Sequence, residues 1–156
     1  MSYIYPAPGV VGTQVTLTLT DSAGSLTGNI ALPALQDVTL NNANDVFTWT
    51  QLDSSSKLQV ATTATNSLAM NLVLDQATFF GTGGSTTVAN KGIFGLSKDK
   101  TRVGFSLFMG NTSAGGAGKT ITGGGYITGL APTVSADSPV WVSPITITVD
   151  GDYTVS

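Results

Sequence analysis

The sequence predicts a mainly β chain, an antiparallel β-sandwich or barrel-like domain with at most one short helix. Three observations carry this. Apolar and hydroxyl side chains alternate with a period of two in segment after segment, the pattern of strands with one face buried. Charged residues make up only 10%, against about 25% in a typical soluble domain, so Thr, Ser, Asn and Gly cover the polar faces. Clusters of Gly, Asn and Ser punctuate the pattern at short intervals, as turns between antiparallel strands require.

Taken in order, Gln14–Thr20 puts Val15, Leu17 and Leu19 on one face and threonines on the other. Asp45–Thr50 and Lys57–Thr62 repeat this half-buried pattern. A strand is expected near Ser67–Leu74, followed by a short helix or ordered loop near 75–80, where Asp75-Gln-Ala-Thr-Phe-Phe80 has the spacing of a helical turn. In Thr101–Met109, Val103, Phe105, Leu107 and Met109 share a side. Lys119–Leu130 and Val140–Val149 read as a paired-strand unit ending at a Gly151 turn. Asp21–Ser25, Asn41–Asn44, Gly81–Ser85 and Asn111–Gly118 read as loops. The last lies between two good strands and is expected to project as a hairpin tip over about 111–118. Phe108 and Trp141 have apolar neighbours on both sides, Leu107 and Met109, Val140 and Val142. Both faces of those strands are therefore expected to be covered, the second by another subunit. With no repeat and no linker, residues 1–156 read as one β domain, and a chain of this length can bury roughly 70% of its unfolded surface.

Composition removes most chemistry. There is no Cys, His or Glu, so thiol catalysis and zinc-thiolate sites are excluded, and an enzyme would have only Asp, Lys, Tyr, Ser and Thr to build with. The net charge of -3 argues against a surface that grips nucleic-acid phosphates. Five of the six cations fall between Lys91 and Lys119, with Asp137, Asp150 and Asp152 near the end; this asymmetry reads first as a solvated surface and second as complementary faces between copies. The first residues, Met-Ser-Tyr-Ile-Tyr-Pro, lack a basic and an apolar signal region, and no run approaches a membrane span, so a cytoplasmic origin without membrane contact is expected.

Tempting motifs fail on their mechanics. Gly115-Gly-Ala-Gly-Lys-Thr120 lacks the first glycine of a phosphate-binding loop, since Ser113 stands there, and Ile121-Thr-Gly-Gly-Gly-Tyr126 is no helix to hold a phosphate. Asp150-Gly-Asp152 lacks the remaining ligands of a calcium loop. The nine Asp residues stand scattered in turn contexts and single out no catalytic pair. No catalytic residue, metal ligand or cofactor is expected.

The last third, strand to Gly125-Tyr126-Ile-Thr-Gly-Leu130, a polar stretch with Asp137, then Val140–Val149 closed by Asp150-Gly-Asp-Tyr153, is similar to the C-terminal half of phage tail tube proteins, also called major tail proteins. Phe47-Thr-Trp49, Asn66–Asp75 with Phe79-Phe-Gly81, and Lys100–Met109 follow in the order those proteins show. Pro139 and Pro144 depart from the pattern, because a proline belongs at an edge or a bulge. The resemblance implies a structural virion protein made in the host cytoplasm. Its hexameric rings stack with other tail proteins into a hollow tube, through which DNA passes without specific binding. Phe108, Trp141, Tyr126 and the Gly-rich tip, with Ser113, Gly115, Gly116 and Gly118, are the candidate inter-subunit contacts. A phage head decoration or other virion surface β-domain is the alternative. A glycan-binding β-sandwich using Trp49 or Trp141 is a further one.

Overall fold

A computed structural model describes residues 16–32, 35–110 and 118–156. The alternating segments form strands, in chain order β1 (Thr16–Asp21), β2 (Asn29–Ala31), β3 (Leu35–Trp49) and β4 (Leu58–Val73). Two helices follow, α1 (Gln76–Phe80) and α2 (Val88–Lys98), then β5 (Val103–Met109), β6 (Lys119–Leu130), β7 (Thr133–Ser135), β8 (Ser138–Val149) and β9 (Thr154–Val155). The strands join one sheet in the order β2-β1-β5-β6-β8-β4-β3, with β7 paired to β8 and β9 to β6. Every pairing is antiparallel. The expected mainly β, antiparallel class holds, with one sheet in place of the two layers of a sandwich.

One face of this sheet carries the core. Leu17 and Leu19, Val103, Phe105 and Leu107, Ile145 and Ile147, and Leu68, Met70 and Leu72 alternate inward, and Phe79, Val88, Ile93 and Leu96 of the helices cover them. Each such side chain contributes about 1.5–3 kcal/mol on burial. The threonines between them face outward, as the period of two requires.

The short helix near 75–80 is α1, capped by Asp75, whose carboxylate accepts the Thr78 N–H at 3.0 Å. The sequence reading allows no second helix, yet α2 is present. Thr87 caps it by accepting the Asn90 N–H at 3.1 Å, but Gly92 has φ 66 and kinks it into two short pieces. That break destroys the 3.6-residue period on which a helix is recognised.

Asn41–Asn44, expected as a loop, lies inside β3, opposite Ser67 to Ala64 of β4. Pairing with a long partner overrides the turn preference of asparagine. Asp45–Thr50 and Lys57–Thr62, expected to be half-buried, are largely exposed, with Phe47 at 59% and Val60 at 49%. The reason is topological: β8 pairs with β4 only from Ser67 to Val73, so Leu58–Asn66 and its β3 partners run on as a two-stranded arm.

Pro144 stands opposite Asn71, where the second neighbour of β8 changes. The β6 pairing ends at Leu130↔Ile145 and the β7 pairing begins at Thr133↔Val142. The proline sits in that break, where Ser143 Oγ accepts the Ala131 N–H at 3.1 Å. Its placement agrees with the rule that confines proline to interruptions of a ladder.

Candidate functional site

Among the described residues, the arm and the opposite end of β4 each present a cluster of exposed apolar side chains. In the arm, Phe47 stands opposite Val60 and Trp49 opposite Leu58, so the four side chains share a face. The Phe47 and Trp49 rings stack with centroids 5.9 Å apart. A bulge sets this register. Between Asn44↔Ala64 and Val46↔Ala61 the two residues Thr62 and Thr63 oppose the single Asp45. Thr62 Oγ1 donates to the Asp45 carbonyl at 3.1 Å and Thr63 Oγ1 to its carboxylate at 3.3 Å. An unbulged ladder would set Val60 against Thr48; the extra β4 residue turns Leu58 and Val60 to the face opposite the core, where they meet Phe47 and Trp49. At the arm's turn Leu52 is fully exposed.

At the far end, beyond Val73, the sheet's inner face opens into a groove of about 580 Å³ lined by Leu74, Phe79, Phe80, Phe94, Pro132 and Trp141, with Asp75 and Gln76 at the rim. Leu74 is fixed to β8 by its N–H, which donates to the Trp141 carbonyl at 2.9 Å. The rings of Phe79, Phe80 and Phe94 form one cluster, with Phe80 and Phe94 centroids 5.7 Å apart. Only Phe79 of the three is buried; Phe80 is 59% exposed and Trp141 53%.

A polar cleft lies elsewhere, lined by Asp21, Lys91, Asp99, Lys100, Arg102 and Tyr126. Its charges are mostly spent internally. Arg102 donates to the Asp150 carboxylate at 2.9 Å and to Ser22 Oγ at 2.8 Å, and Lys91 pairs with Asp99. Desolvation pushes the Asp21 carboxyl up, but backbone N–H bonds from Leu26, Ala23 and Ser25 outweigh it and hold the group below its ordinary range. Asp99 is lowered by its hydrogen bond from Lys91 and by the charge of that ammonium. Among the described residues no cluster of three or more His, Cys, Asp or Glu is placed to hold a metal. None of their helices is long and apolar enough to cross a membrane.

The candidate contacts read from sequence fall in separate places. Trp141 is in the aromatic groove. Tyr126 borders the polar cleft. Phe108 is half-buried, its ring against Gly118 at the base of the β5–β6 hairpin, whose last pair is Met109↔Lys119. Ser113, Gly115 and Gly116 lie outside the described residues, as does most of the expected tip. Sequence reasoning missed the exposure of Phe47, Leu52 and Val60, and the roles of Phe80 and Phe94. The signal that was available is the pairing of two apolar alternating segments around the short, polar 50–57 turn.

No protein-family model and no curated protein sequence matches the chain. Solved structures do. A chain in the tail of an empty gene transfer agent (GTA) particle with C6 symmetry matches with TM-score 0.63 and 13% identity over 90% of this chain and 95% of that one. The SPP1 tail tube matches with TM-score 0.66 and 12% identity over 94% of this chain and 78% of that one. A chain of an extracellular contractile injection system, PVC, solved with its sheath/tube terminator in the extended state, matches with TM-score 0.57 and 15% identity over 97% of each chain. The fold is that of tail tube proteins. Within this tail tube fold, the arm is the distal half of the β3–β4 hairpin and the groove is framed by both helices and the start of β8.

Proposed function

We propose that the chain is a tail tube subunit of a virion. It is one structural unit whose copies join side by side into hexameric rings, and the rings stack, with other tail proteins, into a hollow tube through which DNA passes without specific binding. The observation that carries this reading is the agreement in fold, over at least 90% of this chain, with the SPP1 tail tube and with chains of the GTA tail and of a contractile injection system. The surfaces support it. Among the described residues the end strands β2 and β3 each have a strand neighbour on one edge only, and neighbours in a closed ring would occupy the other. The net charge of -3 suits a channel that repels rather than retains DNA. The same composition, without Cys, His or Glu, supports a structural role over an enzymatic one. Phe108, Tyr126 and the Gly-rich tip remain proposed contacts between copies.

Electron microscopy of the purified protein tests the reading. Six-fold rings with a central hole, or tubes built from them, are the expected result; a strictly monomeric protein at every concentration refutes it.

A further inference from the structure

The turn between β8 and β9 carries Asp150-Gly151, and no other Asp or Asn in the chain is followed by glycine. An aspartyl side chain can close on the amide nitrogen of the next residue, and glycine hinders that approach least because it has no side chain. The turn is open to it. The Asp150 carboxylate is exposed, Gly151 has φ 85 with free space where a Cβ would stand, and among the described residues its N–H bonds to no other backbone group. Asp21, Asp53 and Asp137 are each followed by serine instead. One residue holds Asp150 still. Arg102 donates through Nε to its carboxylate at 2.9 Å and through Nη2 to its carbonyl at 3.1 Å. The Asp150 N–H is tied to the Gly124 carbonyl at 2.8 Å. The guanidinium lies against Gly124, where a Cβ would stand 2.6 Å from Nη1, so only a glycine leaves room for this fork.

We infer that Asp150-Gly151 is the site at which this protein converts aspartate to isoaspartate, and that Arg102 sets the rate. The Gly151 nitrogen attacks Asp150 Cγ; the N–Cγ bond forms, the Cγ–OH bond breaks, and one water leaves with the amide hydrogen. The five-membered imide then takes up a water. Opening at Cγ returns aspartate, whereas opening at the former backbone carbonyl leaves the main chain running through Cβ and Cγ. Nothing is oxidised or reduced. The Arg102 fork fixes the carboxylate and the carbonyl of Asp150 relative to each other, and closing the ring must turn one past the other. The fork is therefore the brake. After isomerisation the backbone between β8 and β9 is longer by one atom. β9 is short, held to β6 by the pairs Ile121↔Val155 and Thr122↔Thr154 and by reciprocal N–H to carbonyl bonds between Thr120 and Ser156 at 2.9 Å. Without the Arg102 anchor, and with its register shifted, it leaves β6. The inference concerns the single folded chain and stands whether or not copies assemble.

Ageing the purified protein in mildly acidic buffer, with peptide mapping by mass spectrometry, tests this. The expected product is a peptide containing residue 150, unchanged in mass or one water lighter, that an Asp-specific protease no longer cuts there. Gly151→Ala should suppress it. Arg102→Gln should speed it about 2- to 5-fold, the range of an exposed ion pair. Arg102→Lys keeps the charge but cannot fork to both oxygens, so its rate should lie between. Salt gives a readout in the unmutated protein: it screens an exposed pair and should raise the parent rate while leaving Arg102→Gln unmoved. In the isomerised fraction, hydrogen exchange at the Thr120 and Ser156 N–H groups should quicken as β9 leaves; unchanged exchange overturns that release. Isomerisation first at another aspartate, or a parent rate that neither salt nor Arg102→Gln raises, overturns the inference.

Discussion

Gly81 and Gly92 cross backbone against backbone, each at positive φ, 83 and 66. A Cβ on Gly92 would lie 2.6 Å from the Phe79 carbonyl oxygen, and one on Gly81 would lie 2.8 Å from the Asn90 carbonyl carbon. This crossing presses α1 onto α2 and brings Phe80 to Phe94. Gly92→Ala meets both a strained conformation and backbone overlap, so a destabilisation of about 2–4 kcal/mol is expected. Urea unfolding measures it. In a Trp49→Phe background, the emission of Trp141 should shift to the red as the groove opens. An unchanged midpoint and spectrum would show that the crossing accommodates a Cβ at Gly92 without parting the helices.

The arm predicts a separation of folding from assembly. Phe47→Asp and Trp49→Asp change side chains that no core residue covers, so circular dichroism and the urea midpoint should stay within about 0.5 kcal/mol of the parent while polymerisation is blocked. Trp141→Asp, in the groove, should do the same. Ile147→Ala empties a fully buried position and should cost about 2–5 kcal/mol in the monomer itself. Phe108 divides the possibilities, since its ring rests on Gly118. A folded but non-assembling Phe108→Asp protein supports a subunit contact; global unfolding assigns the residue to the core.

Much of this was legible in the sequence. Leu17 and Leu19, Val103 to Leu107, and Ile145 with Ile147 alternate as core strands because a sheet buried on one face imposes a period of two. Asp75 and the Phe79-Phe80 pair announced α1. Exposure of Phe47 and Val60 was not legible, because their alternation is that of a buried strand and only the length of β8 decides whether a third strand lies alongside. Nor was the groove, which depends on Gly92 breaking a helix that brings Phe94 to Phe80 across a loop.

Acid tests the Asp21 turn. Its folded pKa lies below its unfolded one, because backbone N–H groups of Ala23, Ser25 and Leu26 bond the ionised form at 2.8, 3.0 and 2.8 Å. Stability from this group is therefore complete above the unfolded value, near pH 4, and is lost as pH falls through the folded value. Side-chain carboxyl NMR should place the Asp21 midpoint below the ordinary Asp value of about 3.9. In Asp21→Asn the part of the acid destabilisation due to this turn should vanish. A midpoint at or above that value contradicts the assignment.

The bulge opposite Asp45 gives the sharpest test of which way the arm faces. Thr62 and Thr63 stand against one β3 residue, so inserting a single Ala after Asp45 restores two against two. The pairs Phe47↔Val60 and Trp49↔Leu58 are retained, but the whole patch turns over to the core face of the sheet, since one added residue reverses the alternation beyond it. No core contact changes, because the core stripe of β4 begins at Leu68, and the monomer should unfold within about 1 kcal/mol of the parent. Assembly should fail, because the same side chains are present and exposed but point the wrong way. Tubes of normal appearance from the insertion variant would mean that the patch is not a contact surface. Recovery of assembly on deleting Thr63 from that variant, which leaves one β4 residue against two on β3, would tie the effect to the direction of the patch rather than to the inserted methyl group.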